Sequence, residues 1–190
     1  MFIVIEGDNG TGKTTLGKFL QRSGFVIVND TEEAKILEAQ AKTYPPDSLQ
    51  RYEAFLKYNR LCGEYARKSE NAAAVRYWFS TITAAFADGI FTSEEALNIS
   101  EHLNVSMIRP DYIFRLYCDY PVRTERILRR ASRSTGNLSD DVSIERSIKY
   151  RQFSDVLVQR FGNCYNIDTT ASKPSQMFTK IAKIARIKSL

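Results

Sequence analysis

Residues 7–14 read Gly7-Asp8-Asn9-Gly10-Thr11-Gly12-Lys13-Thr14 and satisfy the pattern G-x-x-x-x-G-K-[ST] at every position. An apolar run, Phe2 to Glu6, leads into them and an amphipathic stretch, Thr14 to Arg22, leads out. That order is strand, loop, helix, the context in which consecutive backbone N–H groups and a helix N-terminus converge on phosphate oxygens. Glycines allow the backbone to come close and to adopt positive φ. Lys13 is then placed to neutralise β- and γ-phosphates, and the Thr14 hydroxyl, followed by Thr15, to ligate magnesium. The loop Gly7 to Thr15 therefore implies a nucleoside triphosphate and Mg2+ as ligands, ATP where the chain acts as a kinase.

Downstream, short apolar runs alternate with longer amphipathic ones, which predicts an α/β P-loop NTPase fold with about five parallel strands flanked by helices. The strands are expected at Phe2 to Glu6, Phe25 to Val28, Ala72 to Val75, Tyr112 to Tyr117 and Cys164 to Ile167. Thr31-Glu32-Glu33 supplies an N-cap and an acidic first turn for a helix toward Lys42, and Pro45-Pro46 stops it. Asp47 is expected to cap a long helix through Lys68, on which Leu49, Tyr52, Phe55, Leu56, Asn59 and Cys62 keep helical spacing. Further helices are expected at Tyr77 to Phe86, Ser93 to Leu103, Val122 to Ser132, Val142 to Phe161 and Pro174 to Ile187. With 190 residues, 43% hydrophobic, and no linker or repeat, residues 1–190 form one domain in this reading. Ser, Thr, Gly and Asn cluster from Arg133 to Asp141, which predicts a mobile lid over about residues 129–141.

Composition narrows the function classes. A net charge of +5 suits an anionic small-molecule partner. Basic residues are not gathered into one stretch and no RNP or helix-turn-helix pattern appears, so nucleic acid is not expected as a partner. The single histidine, His102, excludes histidine-rich metal sites. Cys62, Cys118 and Cys164 are widely spaced and odd in number, which fits a reducing cytoplasm rather than a disulfide frame. No leader or membrane-length apolar run is visible, so Asn98, Asn104 and Asn137 in their Asn-x-Ser triplets are chance matches.

Phosphate binding alone does not say what receives the phosphate. An Asn-Lys-x-Asp guanine motif is absent, and Asp30 and Asp119 close only partial Walker B runs. The opening Phe2-Ile3-Val4-Ile5-Glu6-Gly7-Asp8-Asn9-Gly10-Thr11-Gly12-Lys13-Thr14-Thr15 resembles that of thymidylate kinases. Tyr58-Asn59-Arg60 is similar to the family's Asn-Arg or Ala-Arg element, and Arg76-Tyr77-Trp78-Phe79-Ser80-Thr81 to its Asp-Arg-Tyr-x-x-Ser element. Arg109-Pro110-Asp111, Pro121 and Glu125-Arg126-Ile127 resemble the strand and helix that lead into the lid, and Ile167-Asp168-Thr169-Thr170 resembles the adenine-side loop. The likeness runs through nearly the whole chain in the same order.

The resemblance implies transfer of a phosphoryl group from ATP to a nucleoside monophosphate, thymidylate or a related deoxynucleotide. Arg60 and Arg76 would hold the acceptor phosphate, Asn9 the acceptor sugar, and Arg130 and Arg133 the migrating charge from the lid. Arg126 and Thr170 would lie on the adenine side, and Tyr77 with Trp78 would line the acceptor base. Arginine forks suit that work because they grip phosphate bidentately. A homodimer is a further implication.

Two departures keep alternatives open. Val75 stands where the family has the aspartate that organises magnesium, leaving Asp8, Asp30, Asp119 or Glu6 as substitutes. Leu56, with Phe55 beside it, stands where a phenylalanine stacks on thymine, and the region of a third phosphate-binding arginine offers only Lys35. A nucleotide-binding regulatory protein without transfer, or a nucleoside kinase of the same fold, are the other readings.

Overall fold

The computed structural model describes residues 1–132, 144–161 and 163–187. Five strands, β1 (Phe2–Gly7), β2 (Val26–Ile27), β3 (Ala72–Val75), β4 (Tyr112–Tyr117) and β5 (Cys164–Asp168), form one parallel sheet in the order β2-β3-β1-β4-β5. Around it lie α1 (Lys13–Arg22), α2 (Glu32–Thr43), α3 (Leu49–Lys68), α4 (Trp78–Ala87), α5 (Ser93–Ser106), α6 (Tyr120–Ala131), α7 (Ile144–Phe161) and α8 (Pro174–Ala185).

β1 is central and wholly buried, so its side chains alternate between two cores rather than between core and water. Ile3 and Ile5 pack with Leu16 and Leu20 of α1 and Phe178 and Ile181 of α8. Phe2 and Val4 face Tyr58 and Cys62 of α3, Trp78 and Ile82 of α4, and Phe153 and Leu157 of α7. Burying each such large apolar side chain stabilises the fold by roughly 1.5 to 3 kcal/mol. The β1–β3 register, Phe2 with Ala72 through Ile5 with Val75, brings both strands to their carboxyl ends side by side.

Local boundaries follow their caps. Thr31 accepts from the Ala34 N–H and starts α2. Ser48, not the expected Asp47, starts α3 by accepting from the Arg51 N–H. β2 is shorter than expected because Val28–Asp30 turn into a 3-10 helix. There the buried Asn29 side chain accepts the Val75 N–H and donates to Tyr58 Oη at 2.6 Å, replacing a strand ladder with side-chain bonds. The expected lid falls mainly on residues 133–141, outside the described residues. Among the described residues no helix is long and apolar enough to cross a membrane.

Candidate active site

The loop after β1 is shaped by close approach. Gly7 has φ +132°, and a Cβ there would stand 2.2 Å from the Leu116 carbonyl oxygen of β4. Gly12, at φ +95°, is the N-cap of α1, whose first turn has neither an acid nor a side-chain cap. The first N–H groups of α1 are thus left for an anion. Lys13 is buried and its Nζ donates to the Asp8 carbonyl at 2.6 Å, as does Thr11 Oγ1 at 2.8 Å. Burial, and then the charge of Arg76, hold the Lys13 amine well below its ordinary value, against the opposing pull of Asp8 and Glu6. A phosphate would reverse that balance by giving the ammonium a counter-charge. Thr14 and Thr15 are exposed.

At the end of β3 the chain turns through Arg76 with φ +75°, a backbone state unusual for any residue but glycine. The turn is fixed on both sides from β1: the Arg76 N–H donates to the Ile5 carbonyl at 2.9 Å and the Tyr77 N–H to Glu6 Oε1 at 2.8 Å. Its guanidinium reaches Asn9 Oδ1 at 2.6 Å and Tyr150 Oη at 3.2 Å. Arg76 therefore stands between the phosphate loop and a cavity of about 680 Å³. The cavity is bordered by Asp8, Asn9 and Arg76 at the loop, by Tyr52, Phe55, Tyr58 and Asn59 of α3, and by Ser80, Thr81 and Ala84 of α4. Asp88 also borders it, held by the Tyr52 hydroxyl and by Arg146 of α7, whose Nε and Nη2 donate to the two carboxylate oxygens at 2.5 and 3.0 Å.

On the other side of the loop, Arg126 Nη2 donates to the Thr169 carbonyl at 2.7 Å and Nη1 to Thr169 Oγ1 at 3.2 Å. Thr170 Oγ1 accepts from the Asp119 N–H at 3.0 Å. The α6 and β5 ends are thereby joined beside Gly10, whose carbonyl Arg126 also approaches at 3.5 Å. Arg130 is exposed on the last turn of α6, and its charge reaches Lys13. Arg133 lies outside the described residues.

Several expected residues fall elsewhere. Arg60 is exposed and does not border the cavity; Asn59, one residue earlier, does, because the inward stripe of α3 runs through Tyr52, Phe55 and Asn59. Tyr77 borders the cavity but is fully buried with its ring edge-on to Phe2, and Trp78, which does not border it, stacks on Phe79 with ring centroids 3.8 Å apart. Leu56 packs against the core, Lys35 pairs with Glu32 at 3.0 Å, and His102 is exposed on α5. Tyr52, Asp88, Arg123, Arg146 and Tyr150 carry no motif, although Arg146 and Tyr150 are spaced to share a helix face.

The acids considered for magnesium do not converge. Asp8 is paired with Arg123, Glu6 is buried beneath Arg76, and Asp30 and Asp119 are exposed. Val75 meets α1, where a Cβ on Gly17 would come within 2.8 Å of Val75 Cγ2. Among the described residues no cluster of His, Cys, Asp or Glu could hold a metal ion. The exposed Thr14 hydroxyl at an uncapped helix N-terminus still fits magnesium bound as it commonly is, through one protein oxygen, water and phosphate.

No protein-family model matches the chain, and no curated protein matches it in sequence. Its fold has solved counterparts. A deoxyadenosine kinase from M. mycoides, with products dCMP and a flexible dCDP bound, aligns with a TM-score of 0.72 at 17% identity, covering 98% of this chain and 100% of that one. A thymidylate kinase from Candida albicans aligns at 0.67 and 17% identity, covering 97% and 90%. The chain thus has a thymidylate kinase-like P-loop kinase fold.

Proposed function

We propose that this protein transfers the γ-phosphoryl group of ATP to the 5′-phosphate of a nucleoside monophosphate, thymidylate or a related deoxynucleotide. The observation that carries the reading is the position of Arg76, whose guanidinium lies between the phosphate loop and a cavity large enough for a nucleotide. A kinase that joins two phosphates needs a cation shared by both, and an arginine so placed can be worth about 10³ to 10⁵ in rate.

Lys13 and the amides at the start of α1 bind the β- and γ-phosphates of the donor. Arg76 draws the acceptor phosphate alongside, and Arg130 adds positive charge from the end of α6. Arg126 and the Thr169-Thr170 turn border the adenine side, while Asn9 reaches the acceptor sugar. Magnesium, held beside Thr14, would neutralise charge on the donor oxygens. An acceptor phosphate oxygen forms the new bond to the γ-phosphorus as its bond to the β–γ bridging oxygen breaks, and ADP leaves. The attacking oxygen is already anionic, so no general base is required. That agrees with the tying of Asp8 to Arg123 and of Glu6 to Ser80 and Tyr77.

The test is a transfer assay with ATP and magnesium against each ribo- and deoxynucleoside monophosphate and each nucleoside, with Lys13→Ala as control. The expected result is a diphosphate product from one or a few 5′-monophosphates, reduced by about 100-fold or more in the control. Phosphorylation of a nucleoside but of no monophosphate would replace this reading with a nucleoside kinase. ATP binding without any transfer would replace it with a regulatory role.

A further inference from the structure

A buried chain of polar groups runs from Arg76 back to the end of β1. Arg76 Nη1 donates to Tyr150 Oη at 3.2 Å, Tyr150 and Ser80 border the same small space, and Ser80 Oγ donates to Glu6 Oε2. Arginine can only donate, so Tyr150 Oη is the acceptor of the Arg76 bond. Burial raises the Tyr150 phenol above its ordinary value, which keeps it a proton donor. Glu6 Oε1 meanwhile accepts the Tyr77 N–H, so the carboxyl that holds Ser80 also holds the backbone turn that carries Arg76. Glu6, Ser80 and Tyr150 are 3%, 6% and 4% exposed, and the space they border together with Thr83 and Ser154 amounts to about 10 Å³, room for one water at most.

We infer that Tyr150 and Glu6 are positioning residues for Arg76: Tyr150, at the wall of the cavity, fixes the guanidinium, and Glu6 fixes the turn that carries it. The inference rests on the acceptor-phosphate role given to Arg76 above. Its physical content is that an arginine on a turn at φ +75° has a long, flexible side chain and needs a fixed acceptor to define the fork. Asn9 supplies one acceptor from the phosphate loop, and Tyr150 supplies the other from α7. Docking of α7 is thereby coupled to phosphate recognition.

The experiment is calorimetric binding of the four common deoxynucleoside 5′-monophosphates and their parent nucleosides to the full chain. Wild type, Tyr150→Phe, Arg76→Ala and the double variant are compared, with melting temperatures measured alongside. Tyr150→Phe removes one oxygen and should weaken monophosphate binding by about tenfold. Binding of the nucleoside and of ATP should change by less than about twofold. In the Arg76→Ala background the same substitution should have almost no further effect, because Tyr150 acts through Arg76; a merely structural role would add in both backgrounds. Glu6→Gln is the second variant. Its amide would turn a donor toward Ser80 and reverse that link beside the turn that carries Arg76, so it too should weaken the monophosphate selectively. If Arg76→Ala loses monophosphate affinity while Tyr150→Phe retains it, the positioning role is wrong and the acceptor role of Arg76 stands. If wild type binds no monophosphate, or Arg76→Ala binds it as well as wild type, the proposed function fails and this inference fails with it.

Discussion

Arg123 Nη1 lies 2.5 Å from Asp8 Oδ2 and joins the first turn of α6 to the second position of the phosphate loop. The guanidinium is 1% exposed, donates from Nη2 to Ser147 Oγ at 2.7 Å and lies 5.3 Å from the centre of the Tyr120 ring. Arginine does not shed its charge in a protein, so removing the carboxylate strands a buried cation. Asp8→Ala should therefore destabilise the protein by about 3 kcal/mol in urea denaturation. Replacing Arg123 by methionine in the same chain should recover much of that loss. A penalty for the single variant below about 0.5 kcal/mol would place the pair among solvent-screened surface contacts.

The inward stripe of α3 separates two neighbours that the sequence pattern treats as one element. Phe55 borders the cavity and Arg60 faces solvent. Arg60→Ala should leave the KM for the acceptor within about twofold of wild type, whereas Phe55→Ala should raise it by about tenfold through lost apolar contact with the base. Steady-state kinetics with whichever acceptor the transfer assay identifies decides between them. A large effect at Arg60 would mean that α3 turns or shifts when substrate binds.

The two results show which parts of this molecule a sequence can express. The phosphate loop is legible because its chemistry is local: Gly7 is needed where Leu116 crowds the backbone, Gly12 where α1 begins, and both sit within one short run. The strands are legible because parallel strands buried on both faces must be short and apolar, and even the plain Ala72-Ala73-Ala74-Val75 is one of them. The cavity beside Arg76 is not local. Asp88 reaches its Arg146 partner across 58 residues, and Arg76 reaches Tyr150 across 74, so no spacing rule links them. The exposure of Arg60 and the core packing of the Tyr77 and Trp78 rings were hidden for a related reason. A helical stripe one residue out of phase points a side chain outward, and aromatic residues beside an active site serve the core as readily as a ligand.

Tyr77 provides a direct check of that last point. Its hydroxyl is buried with no partner at hydrogen-bond geometry, although the Ile108 backbone lies near it, and a Cβ on Gly63 would stand only 2.5 Å away. An unsatisfied buried hydroxyl carries a desolvation penalty that its removal relieves. Tyr77→Phe should thus be neutral or stabilise the fold by up to about 1 kcal/mol, with acceptor binding unchanged. Gly63→Ala should destabilise it by about 1 to 3 kcal/mol through overpacking against the same oxygen. A loss of acceptor affinity in Tyr77→Phe, read by calorimetry, would return the residue to the binding site.

Glu6 links stability to pH in the opposite sense to most carboxylates. Burial raises its pKa above the ordinary value of 4.5, although the Ser80 hydrogen bond, the Arg76 charge, the Tyr77 N–H and the Lys13 charge all pull it down. Between the unfolded and the folded pKa, the folded state keeps a proton that the unfolded chain has released. The corresponding stability is fully present below the unfolded value and is lost as pH rises through the folded one. Glutamine at position 6 is neutral throughout and carries no such loss. The stability of Glu6→Gln relative to wild type should therefore increase as pH rises from about 4.5 and level off above the folded pKa, measured by urea denaturation at pH steps up to about 8. A difference that stays constant with pH would mean that the hydrogen bonds and the two cations offset burial completely. The increase, together with the weakened monophosphate binding expected of the same variant, would show that the protein holds an acid at this position at the expense of stability, to keep Arg76 in place.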